Sequence, residues 1–162
     1  SNDPTYYLEK VLGWKGIIVE PLPIYEFCKK NRPKSVVYNY AVGSFEDGKK
    51  ETVSFIDCYA MSCIEGSFDD QEEYVKAGEA AQNIKAKRIT VPIKPIQFLI
   101  DDYMQKNGEI KIDLFVVDTE GYEFPVIQGV DFNKNKPINL WYKKNLLIQY
   151  LIYYHRYPIL LQ

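Results

Sequence analysis

Histidine is nearly missing from this chain. His155 is the only one in 162 residues, and there are three cysteines, Cys28, Cys58 and Cys63. A Cys/His zinc site therefore has too few ligands. A Ser-His-Asp or Cys-His hydrolase would have to use His155, which lies in a Tyr-rich tail with no nucleophile motif beside it. Cys58 and Cys63 do not form a C-x-x-C pair, and three cysteines make no disulfide framework, so the chain reads as a reduced, cytoplasmic protein. No G-x-G occurs among the nine glycines, which excludes both a Walker A loop and a dinucleotide fingerprint. Positive charge is not in excess: 20 Lys+Arg stand against 22 Asp+Glu, for a net charge of -2. That removes the main electrostatic reason to expect nucleic acid as a partner. A membrane-spanning run is lacking too. The nearest, Leu146–Tyr154, is short and flanked by Lys143, Lys144, His155 and Arg156, and reads as a core element. The polar start SNDPTYYLEK has no apolar h-region of a signal peptide.

What is present is ordinary globular material, 46% hydrophobic and 26% charged, with an unusual 14 tyrosines that read as core and surface rather than as a binding stripe. The length fits one domain over residues 1–162, since domains run to roughly 150 residues. A chain of this size buries about 70% of its unfolded surface without disulfide or metal.

Periodicity orders the elements. Pro4–Leu12 has helical spacing, with Tyr7, Leu8 and Val11 on one face, and stops at Gly13. Ile17–Val19 is a short apolar, β-branched run of the kind found in buried parallel strands. Pro23–Lys30 is expected to be a helix with Ile24, Phe27 and Cys28 on one face, and Arg32 as a solvated cation beyond its end. Ser35–Val42 reads as one strand, and Glu51–Asp57 alternates like a half-exposed one. Gly66–Asn83 is polar, with a short helix around Glu72–Ala81. Ile89–Ile93 is a strand candidate. Pro95–Gln105 is an amphipathic helix carrying Ile96, Phe98, Leu99 and Tyr103, closed by Asn107–Gly108. Lys111–Asp118 is the strongest buried strand, and a short helix Pro125–Gln128 follows. This alternation predicts an α/β fold with a mostly parallel sheet flanked by helices.

Ligands of such sheets bind at the carboxyl ends of the strands. Glu20 stands at such an end. An acid there accepts hydrogen bonds from ribose hydroxyls, or else caps the turn into the next helix. Asp118, Glu120 and Glu123 cluster after the strongest strand. Clustered carboxylates serve as a base, a cation site or a hydroxyl orienter, and equally Asp118 or Thr119 would cap a short helix. No metal is demanded, because nothing in their spacing selects one. Asn39 and Ala41 end the next strand and are weak candidates for an adenine pocket. Asp57 and Ser62 either reach the cleft or close a turn.

Two segments together resemble the FkbM-type methyltransferases: SNDPTYYLEKVLGWKGIIVEPLPIYEFCKKNRP, and KIDLFVVDTEGYEFPVIQGVDF with its D-x-E-G-x-E run. The segment YNYAVGSFEDGKKETVSFID fits more loosely, and the resemblance covers about Ser1 to Phe132, leaving 133–162 as a divergent tail. The resemblance implies a Rossmann-like methyltransferase fold and dependence on S-adenosylmethionine. It implies a ribose-holding role for Glu20, with Pro21, Asn39 and Ala41 beside it in the cofactor site. Asp118 would sit next to the methionine moiety or the acceptor, as the polar group nearest transfer, and Glu120 would orient. The acceptor implied is a hydroxyl of a sugar, glycan or small metabolite. The family's glycine-bearing first motif and first strand are expected upstream of Ser1, so the sheet is expected to lack that strand, and its exposed edge would invite pairing with another copy. The family also has a strand near Ile138–Tyr142. Two rival readings remain: a non-catalytic Rossmann-like remnant or interaction module that binds no cofactor alone, and a nucleotide-binding domain of other chemistry.

Overall fold

The computed structural model describes residues 5–142. The core candidate Leu146–Tyr154 and the sole histidine lie outside the described residues. In chain order the elements are α1 (Tyr6–Lys10), β1 (Ile17–Val19), α2 (Tyr25–Asn31), β2 (Val36–Tyr38), β3 (Ala41–Gly43), β4 (Thr52–Asp57), β5 (Cys63–Ile64), α3 (Gln71–Gln82), β6 (Lys87–Pro95), α4 (Ile96–Asn107), β7 (Leu114–Val117), α5 (Glu123–Gln128) and β8 (Asn139–Tyr142). Short 3₁₀ turns occupy Asp47–Lys49 and Tyr59–Met61.

The strands form three groups: a parallel β1-β2 pair, a four-stranded sheet in the order β3-β6-β4-β5, and a parallel β7-β8 pair. In the middle group β3 runs parallel to β6, whereas β4 is antiparallel to both β6 and β5. The β arrangement is therefore mixed, which corrects the expectation of a mostly parallel sheet. The polar–apolar alternation of Glu51–Asp57 carried the reason, since alternation belongs to antiparallel strands with one wet face. Among the described residues β1 and β7 are each paired on one side only. Both contribute to one hydrophobic cluster, built on Ile96, Leu99, Ile100, Val117, Val126 and Val130, with Ile17, Val19 and Phe115 against it.

The expected single strand over 35–42 breaks in two. β2 registers with β1, Val19 opposite Tyr38, and the ladder stops there because Pro21 has no N–H to donate. The Asn39 side-chain amide donates instead to the carbonyls of Glu20 (2.9 Å) and Pro21 (3.0 Å). Beyond it the chain leaves β1 and pairs as β3 with β6, Ala41 opposite Ile93.

The helical faces need correction. In α4 the i, i+3, i+4 set Ile96, Leu99, Ile100 is buried, as its spacing predicts, but Phe98 points outward. Tyr7, Val11, Ile24 and Phe27 are exposed. What α1 buries is Glu9, 2% exposed, against Arg32, 6% exposed. Arg32 Nε donates to Glu9 Oε2 at 2.8 Å and a terminal nitrogen donates to Thr5 Oγ1 at 3.0 Å, while Lys34 N–H and the Ser35 hydroxyl also donate to Glu9. Arg32 is thus the buried tie between the ends of α1 and α2, not a solvated cation.

Candidate functional site

Four chain segments converge on a cavity of about 270 Å³. Its lining comes from Val19–Leu22 after β1, from Tyr40–Val42, from Phe55, Tyr59, Ala60, Ser62 and Ile64 around β4 and β5, and from Asp118–Glu120 after β7. The volume lies near the ~300 Å³ lower end for ligand pockets. Two of the contributing strands, β1 and β7, present their carboxyl ends to it, as open α/β sheets do.

The sequence candidates Glu20, Pro21, Ala41, Asp118, Glu120 and Ser62 all line this cavity. Asn39 and Asp57 do not. Asn39 fixes the Glu20–Pro21 backbone from behind, as described, and Asp57 Oδ1 accepts the Tyr59 N–H at 3.4 Å.

Glu20 Oε1 accepts the Leu22 N–H at 2.9 Å, which closes the turn toward α2. The capping and ligand-facing readings of Glu20 are therefore compatible: one oxygen serves the turn, and the other carries no hydrogen bond from the described residues. Burial raises the Glu20 pKa above its ordinary value, and the nearby Asp57 charge adds to the rise against the Leu22 bond.

The acidic run after β7 splits into three different environments. Asp118 is exposed at the cavity. Glu123 is buried at the start of α5, where its carboxylate accepts the N–H groups of Thr119 (3.0 Å) and Gly121 (3.1 Å). Residue Tyr122, not Asp118 or Thr119, holds the cap position of α5, so the capping alternative for those two residues does not occur. Glu120 Oε2 accepts the Tyr74 hydroxyl at 2.6 Å, and burial together with that carboxylate pushes the phenol pKa well above its ordinary range. Phe68 stacks on Tyr74 with ring centroids 4.2 Å apart. Gly121, at φ +94°, lies beneath Phe68. A Cβ there would stand 2.6 Å from the Phe68 ring, so a glycine is required by both backbone and space. On the other side, the Tyr122 hydroxyl donates to Asp47 at 3.0 Å, and burial followed by that bond pushes its pKa up to about 12. The loop is thereby held from two sides.

Among the described residues the lining includes three carboxylates, Glu20, Asp118 and Glu120, and no Lys, Arg or His. Thr119 Oγ1 is buried and has no hydrogen-bond partner among the described residues. Carboxylates can accept from hydroxyl and ammonium donors, the Thr119 hydroxyl is left to pair, and Ala41 and Pro21 are small.

Sequence reading missed Leu22, Tyr40, Val42, Phe55, Tyr59, Ala60, Ile64 and Thr119 as cavity residues. Strand ends point at three of the four contributing segments; in YAMSC only Ser62 is a sequence candidate, and nothing there marks Tyr59 or Ala60. Among the described residues no helix is long and apolar enough to cross a membrane.

Residues 1–152 match the family described as the Methyltransferase FkbM domain. No curated protein and no solved structure matches the chain.

Proposed function

The chain belongs to the FkbM methyltransferase family, and we propose that its cavity holds S-adenosylmethionine and that the chain methylates a hydroxyl oxygen of a sugar or small metabolite. The observation that carries this reading is the convergence of Glu20, at the end of β1, and Asp118, at the end of β7, on one cavity. When bound, S-adenosylmethionine supplies an electrophilic methyl group on a sulfonium. The residues of the chain bind, align and deprotonate. Glu20 accepts the ribose hydroxyls through the carboxylate oxygen not taken by Leu22, and Asn39 keeps that turn in place. Ala41 and Pro21 flank the adenine. Asp118 faces the acceptor oxygen and takes its proton as the methyl group is transferred. Glu120, fixed by Tyr74, orients the acceptor hydroxyl.

Titration calorimetry with S-adenosylhomocysteine tests the ribose assignment. Glu20→Ala is expected to weaken binding by about 1–3 kcal/mol, the cost of leaving buried hydroxyls without an acceptor. Unchanged affinity in a folded variant would remove Glu20 from the site.

The raised pKa of Glu20 adds a pH signature. Only the ionised form accepts from both ribose hydroxyls, so wild-type affinity is expected to fall as pH drops through a midpoint above the ordinary glutamate range. Glu20→Gln removes that titration and flattens the profile. The same shift has the opposite sign for folding: it favours the protonated carboxyl, so this group's contribution to stability is full at low pH and is lost as pH rises through the folded-state value. Binding that strengthens on acidification would contradict the assignment.

A further inference from the structure

Among the described residues three that are not glycine have positive φ: Tyr59 at 52°, Asn83 at 51° and Glu120 at 50°. Asn83 ends α3 in the left-handed position that asparagine tolerates after a helix. The other two both line the cavity. A bulky tyrosine is an outlier in that region and stays there only when its surroundings over-determine it.

Those surroundings are visible. The Cys58 N–H donates to Ser62 Oγ at 2.8 Å, and the Ser62 hydroxyl donates to the Tyr59 carbonyl at 2.7 Å. Gln82 of α3 clamps the turn: its amide nitrogen donates to the Cys58 carbonyl at 2.9 Å, and its oxygen accepts the Ala60 N–H at 3.0 Å. Gly78 lets α3 approach this closely, because a Cβ there would stand 2.8 Å from Cys58 Sγ. Cys58 and Cys63, both fully buried, root the two ends of the turn. The whole apparatus leaves Tyr59 70% exposed at the cavity, outside every core cluster and with no hydrogen bond from its hydroxyl among the described residues. Packing gives no reason to hold an aromatic ring there in an unfavourable backbone conformation.

We propose that the turn Tyr59–Ser62 is the acceptor wall of the cavity, with the Tyr59 ring as a stacking platform for a ring of the acceptor and Gln82 as the positioning residue that holds it. This rests on the methyltransferase reading, in which the Glu20–Leu22 and Tyr40–Val42 walls serve the cofactor. The acceptor class that this wall suits is a ring-bearing hydroxyl compound. The ring face stacks on the phenol while carboxylates accept its hydroxyls.

The test uses the full chain saturated with S-adenosylhomocysteine and one probe, phenyl β-D-glucopyranoside, titrated by NMR. The wild-type chain is expected to bind the glucoside. Tyr59→Ala and Gln82→Ala should weaken glucoside binding at least tenfold, and Tyr59→Trp should retain it, all with unchanged affinity for S-adenosylhomocysteine. Tyr59→Gly, which relieves the backbone, should melt at or above the wild-type temperature. A lower melting temperature would make Tyr59 a structural residue and overturn the platform. So would equal glucoside affinity in wild type and Tyr59→Ala, or no glucoside binding by a chain that binds S-adenosylhomocysteine. A wild-type chain that does not bind S-adenosylhomocysteine would overturn the methyltransferase reading beneath it.

Discussion

Asp118→Asn is expected to cut labelled methyl transfer from S-adenosylmethionine to a panel of methyl glycosides by about 100- to 10,000-fold, the usual range for removing a positioned general base. Affinity for S-adenosylhomocysteine should stay nearly unchanged, because the proposed arrangement gives the ribose to Glu20 and not to Asp118. Asparagine keeps the shape of the side chain and loses its ability to accept a proton. The loop around it is held by other groups: Glu123 accepts the turn's N–H groups, Tyr74 anchors Glu120 and Tyr122 anchors on Asp47. Turnover and affinity should therefore separate. Retained turnover would reduce Asp118 to a polar residue at the cavity rim, and a parallel loss of affinity would place it on the cofactor instead.

Arg32→Met should cost about 3–5 kcal/mol of unfolding free energy, the usual effect of stripping one partner from a buried ion pair. Glu9 would keep its burial and its Ser35 and Lys34 donors but lose the guanidinium. Burial pushes the Glu9 carboxyl up, yet the bonds from Ser35, Arg32 and Lys34 outweigh it and hold the carboxyl below its ordinary value. A lowered folded-state pKa contributes stability that is complete above the unfolded value and is lost as pH falls through the folded one. The wild-type chain should therefore lose this contribution on acidification, and Arg32→Met should lose less on the same change. Pairing Arg32→Met with Glu9→Leu should recover much of the loss, because two apolar groups of similar volume leave no uncompensated charge. Urea unfolding measures all three chains. A loss below about 1 kcal/mol in the single variant would show the pair to be no stronger than a surface ion pair.

Glu9 and Arg32 also show where sequence reading stops. Nothing in the local pattern tells a buried charge from a solvated one, because the partner lies 23 residues away. The same pattern groups Tyr7 and Val11 on one apolar face, and the fold leaves both exposed. Helical periodicity finds a helix, but which side meets the core depends on neighbours that only tertiary structure supplies. Strands were more legible. Ile17–Val19 and Lys111–Asp118 declared themselves as continuous apolar runs, and their carboxyl ends pointed at Glu20 and Asp118, which the fold brings to one cavity. The break at Asn39 was not legible, since it arises from a side chain replacing a ladder that Pro21 cannot extend. The strand over 51–57 and the helix around 72–81 were legible, but not that they deliver Tyr59 to the cavity and Tyr74 to Glu120, 46 residues further on. The acids of DTEGYE looked alike on paper. Their separation into an exposed Asp118, a tethered Glu120 and a buried Glu123 comes from partners in other segments.

The cavity assignment is tested most directly by following backbone amide shifts of the isotopically labelled chain as S-adenosylhomocysteine is added. Saturable shifts confined to Glu20–Leu22, Tyr40–Val42 and Asp118–Glu120, all three stretches moving with one dissociation constant, are the expected result. No shifts in a folded chain, or shifts clustered away from these three stretches, would contradict the placement of the cofactor between the ends of β1 and β7.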